Sequence, residues 1–254
     1  MTLATDEMRL ESFAKWAESI KSAPNGAAPL AIMQLSHAGR QSPRIIGGRY
    51  PWVPPVAPSA NPMTPREGLL SRFVFSLLFQ TPRAASTRSI DSIVEAFLHA
   101  AIIACRAGFD GIQLHASHGC EFVDIFLRDE TETRHLDILS QFLSVRNNHR
   151  ADDYGPPNEL RILSRIVQAI RAEASIPSTF VVGIKLNAGD YSNDQIDETR
   201  ALAHVRSIAE WKNVDFLEIR YANIHQLYLL LIPDHPNFSG GDYESPGLFH
   251  ITTE

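Results

Sequence analysis

"GIQLHAS", residues 111–117, followed at once by His118, Gly119 and Cys120, is the stretch on which the fold turns. A short apolar run that ends in polar residues reads as a buried strand, here with two histidines at its C-terminal end. A helix leads into it: Ile90, Ile93, Val94, Phe97, Ala101 and Ala104 recur at helical spacing, with Ser89 as the expected N-cap and Gly108 as the expected C-terminal stop. The same order of helix and then strand recurs at "PLAIMQLSH" (29–37), at "FVVGIKLN" (180–187) and at "VDFLEIR" (214–220); Leu160, Leu163, Ile166, Val167 and Ile170 form the apolar face before the third strand. Alternating helices and near-continuously apolar strands predict βαβ units and a parallel sheet buried on both sides.

Two architectures use that alternation, a doubly wound sheet and an eight-fold barrel. No G-x-G-x-x-G follows any of the strands, which counts against a dinucleotide-binding sheet. In a barrel the polar residues at C-terminal strand ends face the active site, and here those ends carry Gln34 and His37, His115 and His118, and Lys185 with Asn187. The expected fold is therefore an α/β (β/α)8 TIM barrel, of which about four βα units are legible against the eight of a complete barrel.

With 254 residues, 44% hydrophobic and 20% charged, the chain can bury one substantial core and is expected to form one partial barrel domain over 1–254. A net charge of −6 offers neither a basic stripe for nucleic acid nor a polybasic membrane anchor, so neither partner is expected, and no oligomeric state is indicated; a small-molecule substrate is implied only by the family resemblance given below. Cys105 and Cys120 are the two cysteines, too few for a disulfide framework, which fits a cytoplasmic setting. The N-terminus lacks the basic start and apolar core of a signal peptide, and "LYLLLIP" (227–233) is too short to span a bilayer. The segment 41–86 is rich in Pro and Gly and reads as one long irregular loop, a place to look for selectivity through Tyr50, Trp52 and Phe73.

"HASHGC" (115–120) could be read as a metal site. Zinc sites favour H-E-x-x-H on a helix or paired C-x-x-C, and no second ligand cluster accompanies these residues, so no metal is expected.

Several segments together carry a resemblance: "QLSHAGRQSP" (34–43), "VAPSA" (56–60), "TPRA" (81–84), "AGFDGIQLHASHG" (107–119), "SQFLSVRNNHRADDYG" (140–155), "VGIKLNAGDYS" (182–192) and "VDFLEI" (214–219). In this order they resemble the Old Yellow Enzyme family of FMN-dependent NAD(P)H oxidoreductases. The resemblance implies the FMN-linked type of (β/α)8 barrel, with FMN at the mouth and NAD(P)H as hydride donor. It implies that Gln34 hydrogen-bonds the polar edge of the flavin ring and that Lys185 places a cation near the N1 and O2 side. His115 and His118 match the pair that binds the substrate oxygen of an activated alkene and stabilises the charge that develops there. The family's tyrosine acid follows two residues after the second histidine; here that position is Cys120, so a thiol stands in the catalytic place and is a poor replacement.

The family pattern breaks after Gly119 and resumes at Ile138; it breaks again after Arg220 and resumes at "SGG" (239–241). Residues 121–137 and 221–238 are therefore read as insertions or translated introns. Cys-Glu-Phe can be encoded TGT-GAG-TTT, which holds a splice donor, and Leu136-Asp137 can hold an acceptor that leaves a tyrosine codon on joining. Arg220-Tyr221 and Phe238-Ser239 can likewise hold a donor and an acceptor at the second break, where joining leaves a serine codon. The rival reading is a pair of real insertions that replace the acid and lengthen two loops.

The expected function is ene-reductase-like hydride transfer to an α,β-unsaturated carbonyl compound. The alternative is a truncated non-catalytic barrel fragment or pseudoenzyme without flavin. Half a barrel would leave two sheet edges unpaired, so the chain as written is expected to be aggregation-prone or flavin-free.

Overall fold

The computed structural model describes residues 3–22, 28–45, 47–63, 68–117, 137–187, 195–220 and 248–252. His118, Cys120 and the whole of 221–238 lie outside the described residues, as does 121–136. In chain order the elements are α1 (Leu3–Lys21), β1 (Ile32–Leu35), a 3-10 turn (Gly39–Gln41), β2 (Val56–Ala57), α2 (Leu69–Leu78), β3 (Arg83–Ala84), α3 (Thr87–Arg106), β4 (Gly111–Ala116), α4 (Ile138–Leu143), α5 (Arg161–Ala172), β5 (Val181–Asn187), α6 (Gln195–Ala209), β6 (Phe216–Arg220) and β7 (Leu248–Thr252).

Strands β1, β4, β5 and β6 lie side by side in that order and run parallel, separated in sequence by helices. This is the arrangement of consecutive βα units in a barrel wall. The expected four strands are therefore present within a few residues of their predicted bounds. At the far edge β7 pairs antiparallel with β6, Phe216 opposite Thr252 and Arg220 opposite Leu248. The expectation of two open parallel edges is thus corrected in kind: β7 covers the β6 edge, so the outer strands of the described sheet are the parallel strand β1 on one side and the antiparallel strand β7 on the other.

The strands are not apolar on both sides. Ile112, Leu114 and Ala116, Val182, Ile184 and Leu186, and Leu217 join one core with Ile90, Phe97 and Ala101 of α3 and Leu163, Ile166 and Ile170 of α5. Side chains alternate across a strand, so the residues between these point to the opposite face. There stand Gln113, His115 and Glu218, which are buried, and Lys185, which is partly exposed. The prediction of near-continuously apolar strands is corrected to an apolar face against the helices and a buried polar face on the other side.

Helix α3 begins one turn earlier than expected. Ser86, not Ser89, is the N-cap: its Oγ accepts the Ser89 backbone N–H at 3.1 Å, which satisfies one of the unpaired donors of the first turn. The helix stops where expected, because Gly108 takes a φ of +83° that side chains disfavour. Segment 41–86 is not one irregular loop: it contains part of the 3-10 turn, β2, β3 and α2, with β2 and β3 forming a short parallel pair. α2 exposes Leu69, Leu70, Phe73 and Leu77, and a helix so apolar on its outer side hides its periodicity from a sequence reading.

Two aspartates tie the N-terminal ends of the strands together. Asp110 accepts the Ala31 N–H at 2.8 Å and pairs with Lys21 at 2.7 Å, and Asp215 accepts the Val182 N–H and the Arg171 guanidinium, both at 2.6 Å. These bonds fix strand register from the face opposite the histidines.

Candidate active site

Strand pairing places the polar residues in rows. Gln34 is level with Gln113, and one step further along the same face His115 is level with Lys185, which is level with Glu218. Lys185 Nζ lies 2.5 Å from Glu218 Oε1. Gln113 Nε2 donates to Glu218 Oε2 at 2.7 Å, so one carboxylate gathers an ammonium and an amide from two other strands. One further step along, Ser117 Oγ donates to Asn187 Oδ1.

The segment after the described part of the histidine motif returns to the same place. Asp137 N–H donates to Ser117 O at 3.3 Å and Ile138 N–H donates to His37 O at 2.8 Å, which pins the start of α4 to the ends of β4 and β1. The Asp137 carboxylate is buried, accepts the Ser36 hydroxyl at 2.5 Å, and stands 3.9 Å from His115 Nε2. Burial pushes the Asp137 carboxyl above the usual aspartate range, against the opposing pull of the Ser36 hydroxyl and His115. Burial likewise holds His37 below the usual histidine range. His37 Nδ1 accepts the Gly39 N–H at 3.0 Å, which leaves the proton of the neutral ring on Nε2. Gly39 itself has a φ of +56°, and a Cβ there would lie 2.4 Å from the Gln141 amide, so the turn that carries His37 toward α4 has no room for a side chain.

Of the expected site residues, the structure brings His115 and Lys185 together on adjacent strands, with Gln34 exposed on the neighbouring edge strand and one row back. His118 and Cys120 lie outside the described residues. Among the described residues no group of three or more His, Cys, Asp or Glu is placed to hold a metal ion. Gln113, Glu218, Ser36 and Asp137 were missed. Period-two alternation in "GIQLHAS" and "VDFLEIR" was the available signal for the first two; nothing local marks Asp137, which the fold carries to the site from outside the strands. Tyr50 and Trp52 stack on each other with ring centroids 5.1 Å apart and remain exposed.

A cleft of about 920 Å³ runs along the open edge of β1 between α1 and α3, lined by Phe13, Trp16, Met33 and Phe97 among others. It meets the polar residues only at Gln34, Ser36 and His37, so it is an apolar edge groove and not the centre of the polar face. No helix among the described residues is long and apolar enough to cross a membrane.

Comparison with known proteins agrees with this geometry. The profile of the NADH:flavin oxidoreductase / NADH oxidase family matches residues 3–227. The chain is 33% identical over 247 residues to an NADH-dependent flavin oxidoreductase of Neonectria sp. (strain DH2), covering 96% of this chain and 26% of that protein. It is 34% identical over 220 residues to one of Talaromyces variabilis, covering 86% and 44%. The fold is similar to that of the Old Yellow Enzyme homologue from Zymomonas mobilis, with a TM-score of 0.60 and 24% identity over 84% of this chain and 52% of that one. The chain thus spans less than half the length of the two curated relatives, and its sheet is a partial (β/α)8 barrel wall.

Proposed function

Because the chain belongs to the NADH:flavin oxidoreductase / NADH oxidase family, we propose that the polar face of its sheet is the flavin face of an FMN-dependent NADH oxidoreductase that reduces a carbonyl-activated alkene. The observation that carries this reading is the row His115–Lys185–Glu218, in which a histidine, an ammonium and a carboxylate stand level on neighbouring strands. The donor set fits a flavin: Lys185 brings a cation, Gln34 an exposed amide that can both donate and accept, and His115 and Glu218 on the neighbouring strands are buried. When bound, FMN supplies the two-electron hydride carrier between NADH and substrate. The two fungal relatives are named NADH-dependent, which favours NADH over NADPH.

Each residue then has a physical task. Gln34 hydrogen-bonds the polar edge of the ring, and Lys185 stabilises negative charge on it, while Glu218 and Gln113 hold the lysine stem in one direction. His115, with His118, donates to the substrate oxygen, where charge accumulates as the β carbon gains hydride. Cys120 stands at the acid's place in the sequence, with a thiol in place of a phenol.

We propose further that 121–137 and 221–238 are insertions into the family pattern. The Asp137 N–H to Ser117 O bond supports the first. Deleting 121–137 would put residue 120 in the place of Asp137, and the same bond would then close a four-residue turn 117–120 with Gly119 at its third position, where turns of type II require glycine. The second segment lies outside the described residues.

The test is anaerobic mixing of the FMN-loaded chain with NADH and then with cyclohexenone. Bleaching of the flavin absorbance by NADH and its return with the enone support the reading; a flavin that NADH does not bleach, or that the enone does not restore, opposes it.

A further inference from the structure

We infer that Asp137 is the proton donor of the chain as it stands, a catalytic residue that holds the place the sequence assigns to Cys120. This rests on the function proposed above. The assignment begins with the backbone: the N–H of residue 137 is bonded to Ser117 O and that of Ile138 to His37 O, so the first turn of α4 is fixed to two strand ends. The family pattern resumes at Ile138, which makes Asp137 the residue directly before it, as the tyrosine is in the uninterrupted pattern.

The side chain is placed to match. Asp137 Oδ2 stands 3.9 Å from His115 Nε2, too far for a hydrogen bond between them and close enough that a substrate oxygen on that nitrogen brings its neighbouring carbons to the carboxyl. Ser36 Oγ holds the carboxyl at 2.5 Å, which fixes its rotamer. Asp137 is 3% exposed, and a carboxyl out of water keeps its proton to a higher pH, as its upward shift records. The groups that face it are Ser36 and the backbone of His37 from the β1 end and His115 from β4.

The step balances as follows. Hydride, drawn originally from NADH, forms a C–H bond at the β carbon and the alkene π bond breaks. The electron pair left on the α carbon takes the proton of the Asp137 carboxyl, whose O–H bond breaks. The resulting carboxylate regains a proton from water.

The test uses the full chain loaded with FMN and compares two rates, reduction by NADH and reoxidation by cyclohexenone. Asp137→Asn keeps an oxygen for Ser36 to donate to and removes the acidic proton. The ratio of the enone rate to the NADH rate is expected to fall roughly 100-fold, in the range of general acid catalysis. Asp137→Glu is expected to recover part of it; a purely structural role would instead lower FMN content or both rates together. A flavin-free readout accompanies it: the ¹³C carboxyl resonance of Asp137 is expected to titrate above ordinary aspartate. A ratio within a few-fold of the parent's, or a carboxyl that ionises at or below the ordinary value, overturns the assignment alone. A chain that binds no FMN overturns the proposed function and the assignment with it.

Discussion

Lys185 Nζ lies 2.5 Å from Glu218 Oε1, and the two side chains are 17% and 8% exposed. The pair joins β5 to β6 on the polar face, and Gln113 of β4 donates to the other carboxylate oxygen, so three strands share one carboxylate. Removing one charge of a buried pair leaves the other uncompensated, which costs more than removing both.

Lys185→Met is therefore expected to destabilise the chain by about 3 kcal/mol. Lys185→Met combined with Glu218→Gln is expected to recover most of that loss. Urea unfolding of the two single variants and the double variant closes the cycle. Additive losses would mean that the pair is not coupled.

Gly183 leaves room for an aromatic ring across the sheet: a Cβ there would lie 2.1 Å from Phe216 Cζ. Gly183→Ala is expected to cost about 1–3 kcal/mol through overpacking, and Phe216→Leu in the same chain to relieve part of it. Thermal unfolding of both reads the difference.

At Asp137 the pH dependence has a definite sign. Burial raises its folded pKa above the unfolded value of about 3.9, so between the two the folded chain binds more protons and loses stability as pH rises. Asp137→Asn cannot ionise there. Its Tm relative to the parent is expected to increase with pH through that window and then level off; a difference that shrinks over the same range would contradict the assigned shift.

Ser86 caps α3 through its hydroxyl, while Ser89 contributes the N–H that the cap accepts. Ser86→Ala is expected to cost about 1 kcal/mol. Ser89→Ala keeps that backbone donor and is expected to cost less, which separates the observed cap from the one expected by periodicity.

The strand positions, the helices before them and the histidine–lysine cluster were legible because each depends on local periodicity and on which strand end a polar residue occupies. Ser86 was passed over because Ser86 and Ser89 are both good caps, and the choice is made by backbone geometry at the helix start. Glu218 was hidden by reading "VDFLEIR" as a continuous apolar run, when its alternation marks a strand with one polar face. Asp137 could not be read locally at all: it reaches Ser36, which is 101 residues away in the chain, because α4 docks on the strand ends. The pairing of β7 with β6 is likewise a tertiary choice that no local pattern announces.

The measurement that bears most directly on the central claim is a fluorescence titration of the purified chain with riboflavin and with FMN, which share the ring and differ in the phosphate. If the polar face binds the ring, both flavins are quenched by the parent chain. Quenching then weakens at least tenfold in Gln34→Ala, whose side chain is exposed, and in the Lys185→Met, Glu218→Gln double variant. Quenching that is absent in the parent, or unchanged in both variants, would contradict the assignment of this face to a flavin.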